Sequence, residues 1–490
     1  MAQKLKVLIA AAEAAPFVKV GGLADVVSSL ARALSDLGVD VRIILPRYGS
    51  LQRQETLRRK ADLGMIPLEV YPFRAALLEA ELPGSGVPVY FVESADFFSR
   101  AGVYDDPDTL EGFADNFQRF AFFMKATLAA CRRIEWFPDV VQCNDSHTAL
   151  IPAYMKLSFP GGPSFRHATS LLVIHNLAYQ GRFDTSLFKL ADLPRHLGFP
   201  GGAFHMQGDL NLMKGGILFA DVVTTVSPTY AREIQEDPAY GCGLEGVLHG
   251  RRQDLHGILN GMDVAEWNPA TDPLIPARYH AARLGGKAQN KAELQKFFRL
   301  PERADVPLVG MVTRLVEQKG LDLLLEAAPE LFAMDLQLAL LGTGEAKYHE
   351  AVQFLARTYP ANFRAQLAFD DRLAHWIEAG SDMFLMPSRY EPCGLSQMYS
   401  LRYGTVPVVR HTGGLADTVR DCHQGPDGNG FKFYSFSARE MLETLRRALW
   451  VWRNRTEWRR IMRRGMAEDF SWSRRARGYL ELYRRVREKR

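Results

Sequence analysis

Gly21-Gly-Leu-Ala-Asp25 and Gly413-Gly-Leu-Ala-Asp417 are the same five residues, set near opposite ends of a 490-residue chain. Each copy follows an apolar run that reads as a buried strand, 7–12 for the first and 406–409 for the second, and each opens a helical pattern. Glycine at such a turn lets the backbone approach a ligand closely, and the unpaired N–H groups of a helix start favour an anion. Taken singly, either pair also fits a plain tight turn from strand to helix. The recurrence points to paired halves that share one anionic ligand or flank one cleft.

Outward from these loops, strand-like runs alternate with helical patterns. In the first half the runs are 39–45, 87–92, 140–142, 171–174 and 221–226. The same rhythm restarts with 308–313, 336–341 and 383–386. Alternation of this kind predicts βαβ units and parallel sheets covered by helices on both faces. The polar, Pro-rich stretch Trp267-Asn-Pro-Ala-Thr-Asp-Pro-Leu-Ile-Pro276 between the two series reads as a crossing between domains. The length also suits two large domains better than one core.

Hydrophobic content of 47% and charged content of 24% are those of an ordinary globular protein, and a net charge of +4 gives no reason to invoke nucleic acid. The Arg-rich segment from Arg459 to Arg485 also carries Tyr479, Leu480, Leu482, Tyr483 and Val486 at helical spacing, so it reads as an amphipathic helix with a basic outer face. The five cysteines, Cys131, Cys143, Cys242, Cys393 and Cys422, form no C-x-x-C pair and no metal-ligand spacing, which fits reduced thiols and a cytoplasmic location. The N-terminal run is too short for a signal peptide and no run reaches transmembrane length, so no membrane association is expected.

In doubly wound sheets, ligands sit beyond the carboxyl ends of the strands. The chemically suggestive residues fall at those ends: His175-Asn176 after 171–174, Arg314 after 308–313, and Glu391 after 383–386. Within Thr313-Arg-Leu-Val-Glu-Gln-Lys-Gly320, the two cations Arg314 and Lys319 can neutralise a departing diphosphate without a metal. Glu391-Pro-Cys-Gly-Leu395 can hold sugar hydroxyls, although a carboxylate there also suits a helix N-terminus. Asp106-Pro-Asp108 matches a metal-binding Asp-x-Asp by letter but reads as a turn, and no metal is expected.

These segments, with Lys19-Val-Gly-Gly-Leu-Ala-Asp-Val, Tyr240-Gly-Cys-Gly-Leu, Gly257-Ile-Leu-Asn-Gly-Met-Asp and Arg402-Tyr-Gly-Thr-Val-Pro-Val-Val, span nearly the whole chain. Together they resemble the bacterial glycogen synthase and plant starch synthase family. The resemblance implies an α/β chain of the glycosyltransferase B fold, with two Rossmann-like domains facing across a deep cleft. It implies an N-terminal acceptor-side domain over 1–258, a nucleotide-sugar domain over 259–471, and a C-terminal helix, 472–490, that crosses back to the first domain. The implied reaction moves glucose from ADP-glucose to the non-reducing end of an α-1,4-glucan with retention of configuration. It needs no cofactor or metal besides the nucleotide-sugar substrate.

Carried over by position, the resemblance assigns Lys19, Asp145, His175, Arg314, Lys319 and Glu391 to catalysis. It lines the donor site with Lys19, Gly21, Gly22, Asn260, Arg314, Lys319, Phe369, Glu391, Cys393, Gly394, Leu395 and Ser396. The acceptor path takes Glu13, Tyr104, His147 and Asn176. Two departures bear on this transfer. A Trp common in the family is missing from Asn144-Asp-Ser-His147, and Phe369 stands where a base-stacking Tyr is frequent, keeping the ring and losing the hydroxyl.

No carboxylate pair for a double displacement stands out. Same-face transfer is therefore expected, with a leaving phosphate oxygen helping to deprotonate the acceptor. Two other functions stay open on the residues alone: a transferase using UDP-glucose, and a noncatalytic glucan-binding protein. The latter would be expected to have lost some of Lys19, His175, Arg314, Lys319 and Glu391.

Overall fold

A computed structural model describes residues 4–109, 111–157, 165 and 167–488. The chain divides into two compact units. The first holds the chain up to Val226, Ala231–Gly261 and everything from Trp472 onward; the second holds Ser227–Tyr230 and Met262–Ser471.

Among the described residues, the first unit is built on a nine-stranded sheet in the order Leu255–Gly257, Val222–Thr225, Thr169–Ile174, Val140–Asn144, Lys6–Ala10, Asp40–Pro46, Val87–Glu93, Tyr71–Leu82 and Arg58–Leu68. From Leu255–Gly257 to Val87–Glu93 the pairing is parallel throughout. Val140–Asn144 and Thr169–Ile174 are buried along their whole length, as expected of strands covered on both faces. Lys6–Ala10 is the central strand, so the first glycine loop leaves the middle of the sheet and feeds the helix Gly22–Asp36. The helix Trp472–Glu488 packs on Gly22–Asp36, and its buried stripe includes Tyr479, Leu480 and Tyr483, the amphipathic pattern read from the sequence.

The second unit has a six-stranded parallel sheet, ordered Phe363–Gln366, Gln337–Leu341, Leu308–Val312, Met383–Met386, Val406–Arg410 and Phe431–Phe433. One core gathers residues of the helices Leu321–Ala333 and Ala438–Arg453 against this sheet. A second gathers Leu294, Phe298, Leu373 and Ile377 from the helices Gly285–Phe298 and Asp371–Gly380. Two separate cores against one sheet are what a doubly wound arrangement requires.

The expectation of purely parallel sheets and the reading of the Pro-rich stretch both need correction. The antiparallel hairpin Arg58–Leu68/Tyr71–Leu82 carries no clean apolar run: its outer strand is half exposed and its register shifts at Arg59/Ala61 and Asp62/Gly64. The Pro-rich stretch 267–276 is not a linker. The chain passes between units at Gly261/Met262, ahead of it, and the stretch is anchored inside the second unit. The Trp267 ring stacks 3.8 Å from the rings of both His375 and Tyr399. Asp272, 1% exposed, accepts hydrogen bonds from His375 and Tyr403.

Candidate active site

In the first unit, the residues of interest leave the carboxyl ends of three adjacent strands. Glu13 follows Lys6–Ala10, Asp145 and His147 follow Val140–Asn144, and His175 and Asn176 follow Thr169–Ile174. Glu13 is 3% exposed. Its Oε2 accepts the amides of Val20 and Gly21, and its Oε1 accepts the Tyr104 hydroxyl at 2.6 Å. The N–H groups that the glycine loop was expected to offer an external anion are thus partly taken by a carboxylate of the chain itself. Gly22 opens the helix; Lys19, half exposed, pairs with Asp25 in the first turn of that helix at 2.9 Å.

Asp145 has φ 58° and ψ −173°, a backbone conformation costly for any residue with a Cβ. The surroundings hold it there. Its amide donates to the Val173 carbonyl at 2.9 Å, Thr148 Oγ1 donates to the carbonyls of Asn144 and Asp145, and the Asp145 carboxylate accepts the amides of His175 and Asn176. Burial pushes this carboxyl up to about 7 against the pull of those two amides, with Glu13 adding to the rise.

Burial also lowers His175 to about 4, so its ring is neutral at pH 7. Asn144 donates its Nδ2 to the Ala10 carbonyl and turns its Oδ1 toward His175 Nε2 at 2.9 Å, so Nε2 carries the proton in that bond. His147, lowered to about 4 by burial and then by Arg119, lies 4.6 Å from the Tyr104 ring and 4.5 Å from Phe120. Asn176 Oδ1 accepts the Ala178 amide, and Asn260 Oδ1 is buried without a hydrogen-bond partner among the described residues.

In the second unit, two loops meet. Lys319 Nζ donates to Glu391 Oε2 at 2.7 Å, and Ser388 Oγ donates to the same oxygen at 3.0 Å. Arg314 donates to Gln318 Oε1, and Gln318 in turn donates to the Tyr390 carbonyl, so one glutamine ties the cation loop to the carboxylate loop. Gly320 permits the approach: at φ +71°, an added Cβ would lie 2.0 Å from the Pro387 carbonyl oxygen.

The second Gly-Gly pair differs from the first. A Cβ on Gly413 would meet the Glu391 carbonyl oxygen at 2.0 Å, and one on Gly414 the Cys393 carbonyl oxygen at 2.0 Å, whereas Gly21 has nothing within 4 Å. Gly413-Gly414 therefore serves as the seat of the Glu391–Cys393 loop rather than as an open ligand loop. Asp417 accepts hydrogen bonds from Ser227 and Thr229, a different partner from that of Asp25. Gly394 takes φ +72°, Leu395 and Ser396 lead into the helix Ser396–Arg402, and the Phe369 ring is 84% exposed.

Ser388, Gln318 and Asn144 were given no role from the sequence. Gln318 and Asn144 stood inside quoted motifs and Ser388 just ahead of one, but their neutral side chains offered no charge or spacing to single them out.

Comparison with known proteins agrees with this architecture. Residues 6–250 match the family model described as starch synthase catalytic domain, and residues 293–464 match glycosyl transferases group 1. Glycogen synthase 2 of Geobacter sulfurreducens is 48% identical over 482 residues, covering 98% of both chains. The glycogen synthase of Moorella thermoacetica is 45% identical over 493 residues, covering 100% of this chain and 98% of its own. Among solved structures, the catalytic domain of starch synthase IV from Arabidopsis thaliana, bound to ADP and acarbose, aligns with a TM-score of 0.89 at 35% identity, over 99% of this chain and 100% of that one.

Two Rossmann-like units with these loops define a glycosyltransferase of the GT-B class. The chain belongs to the glycogen and starch synthase family. Among the described residues no helix is long and apolar enough to cross a membrane.

Proposed function

We propose that the chain elongates an α-1,4-glucan by moving glucose from ADP-glucose to its non-reducing end, with retention and without a metal, in the cytoplasm. The observation that carries this reading is the Lys319–Glu391 contact at 2.7 Å, in a loop set that Gln318 ties to Arg314. It puts a cation suited to a diphosphate against a carboxylate suited to sugar hydroxyls. The Arabidopsis starch synthase IV structure, solved with ADP and acarbose, supports an adenine donor and a glucan acceptor for a chain of this similarity.

In this reading Arg314 and Lys319 take up charge on the departing diphosphate, joined by Lys19. Glu391 holds glucose hydroxyls, with Cys393, Gly394, Leu395 and Ser396 forming the rest of its loop and Phe369 stacking on the base. Gly21, Gly22 and Asn260 complete the donor site; the unpartnered buried Oδ1 of Asn260 suits a ligand hydroxyl. A leaving phosphate oxygen accepts the acceptor's proton, the C1–O bond to phosphate breaks, and the new glycosidic bond forms on the same face.

His175 is neutral at pH 7 and acts as a hydrogen-bonding group. Asp145, whose carboxylate is occupied by two backbone amides, acts as a positioning residue for the His175–Asn176 loop. Glu13, Tyr104, His147 and Asn176 line the acceptor side, the role proposed for the first unit up to about residue 258.

The test is glucose incorporation into glycogen from ADP-glucose and UDP-glucose at matched concentrations, with Glu391→Ala as control. Preference for ADP-glucose, lost in the control, is expected. A UDP-glucose preference changes the donor, and no transfer from either overturns the reading.

A further inference from the structure

His375 belongs to none of the residues assigned to transfer, yet its surroundings are built with unusual completeness. The ring is 1% exposed and stacks on the Trp267 indole at 3.8 Å with the planes 14° apart. Nδ1 contacts Asp272 Oδ2 at 2.8 Å; that carboxylate also accepts the Tyr403 hydroxyl at 2.6 Å and the Leu274 amide at 2.8 Å. A carboxylate so placed keeps the proton on Nδ1 and leaves Nε2 as the lone-pair nitrogen.

Nε2 is buried and has no hydrogen-bond partner among the described residues. One ring nitrogen of His375 and one carboxylate oxygen each of Glu266 and Asp371 all lie within 4.8 Å of one another. With Nδ1 held by Asp272, the open ligand atom is Nε2.

We propose that Glu266, Asp371 and His375 form a binding site for a divalent transition-metal cation of the zinc class, separate from the transfer chemistry. One imidazole nitrogen with two carboxylates is a donor set for such an ion, and the buried carboxylate behind the imidazole is the usual outer support. Asp371 and His375 lie four residues apart on the helix Asp371–Gly380 and so share one face. Glu266 comes from the segment that enters the second unit, next to the stacked Trp267.

Ligand atoms around a bound zinc stand about 3–3.5 Å apart, given bond lengths of about 2.0–2.2 Å. Both carboxylates are exposed and close that gap by rotating side chains, while the histidine stays fixed. Water completes the coordination. The bound ion would pin the 262–276 segment to this helix. Through the Trp267–Tyr399 stack it would also stiffen the helix Ser396–Arg402, which directly follows the Glu391 loop.

The test uses the untagged full chain stripped with chelator, zinc chloride as probe, and the exposed-site variants Glu266→Gln and Asp371→Asn, which leave the buried stack intact. Calorimetric titration should give a tight site that is at least tenfold weaker in each variant. The melting temperature of the unaltered chain should rise by about 5 °C at saturating zinc, a rise lost in both variants. An anomalous difference peak at the zinc edge between the three side chains completes the expectation. No such peak in zinc-soaked crystals, or an equal rise in melting temperature in the unaltered chain and both variants, would overturn the proposal. It would leave His375 as a core side chain held by Asp272 and the Trp267 stack.

Discussion

Lys319 Nζ and Glu391 Oε2 meet at 2.7 Å across 72 residues of chain, with side chains only 16% and 7% exposed. A cation expected to act on the donor's phosphates is therefore already engaged with the carboxylate expected to hold the donor's sugar. Each sets the position of the other before any substrate arrives, and Ser388 fixes the same oxygen from a second side.

Lys319→Ala should accordingly do two things at once. Transfer should fall about 100-fold or more, the scale for losing one charge-stabilising donor. Stability should also fall by about 3 kcal/mol, because buried Glu391 loses its charge partner and keeps only the Ser388 hydroxyl. The sequence marks Lys319 as a cation for the diphosphate; the pairing gives it a part in the fold as well. Adding Glu391→Gln to Lys319→Ala should recover most of the stability and none of the transfer. Calorimetry and glucose incorporation on the two variants and the unaltered chain check this, and a double variant as unstable as the single one would contradict it.

The two Gly-Gly-Leu-Ala-Asp copies should respond differently to the same change. Gly414→Ala drives a Cβ into Cys393, 2.0 Å from its carbonyl oxygen and 2.5 Å from its Cα, neither of which is a flexible side-chain end. The loop carrying Glu391 must shift, at a cost of about 3 kcal/mol, and activity should fall with it. Gly21→Ala meets nothing within 4 Å and has φ −138°, so its stability should change by less than about 1 kcal/mol. Thermal denaturation of the two variants side by side is the measurement.

The contrast between these loops shows where the sequence is legible and where it stops. Parallel strands such as Thr169–Ile174 are buried on both faces and so announce themselves through apolar runs, here 171–174. Strand ends then locate His175, Arg314 and Glu391. The hairpin Arg58–Leu68/Tyr71–Leu82 alternates weakly because its outer strand is half exposed, and it left no comparable signature.

Identical pentapeptides say nothing about what packs against them: Gly414 touches a backbone hundreds of residues from Gly21, and only three dimensions reveal it. The same holds for Glu13. Its hold on the Val20 and Gly21 amides and on Tyr104 joins a local loop to a residue 91 positions away. His375 was silent for a similar reason, since a single histidine on an amphipathic helix carries no pattern of its own.

Tyr104→Phe tests the Glu13 network directly. Glu13 Oε1 would lose its hydroxyl donor while staying buried, which should cost about 1–3 kcal/mol. If Tyr104 serves the acceptor side, the KM for glucan should rise several-fold while that for ADP-glucose stays near its original value. Steady-state kinetics with each substrate varied in turn separate these effects, and equal changes in both constants would count against the assignment.

Asp145 makes the sharpest statement about pH. Its carboxyl is raised to about 7 in the folded chain, against an ordinary value near 3.8. Between these values the folded state binds the proton more tightly than the unfolded state does, so the stability this group contributes is present below pH 4 and is lost as pH rises toward 7. His147 and His175, lowered to about 4, act with the opposite sign: each costs stability as pH falls from about 6.5 to 4, because the unfolded chain takes up a proton that the folded one refuses. The raw pH profile mixes these terms, so the informative quantity is a difference. Asp145→Asn removes only the carboxyl and keeps an oxygen to accept the His175 amide. Measured against the unaltered chain, the melting temperature of Asp145→Asn should become steadily more favourable from pH 4 to pH 7, by the equivalent of about 3 kcal/mol. A difference that stays flat over that range would mean that Asp145 is ionised in the folded chain at ordinary pH and that the two amides outweigh its burial.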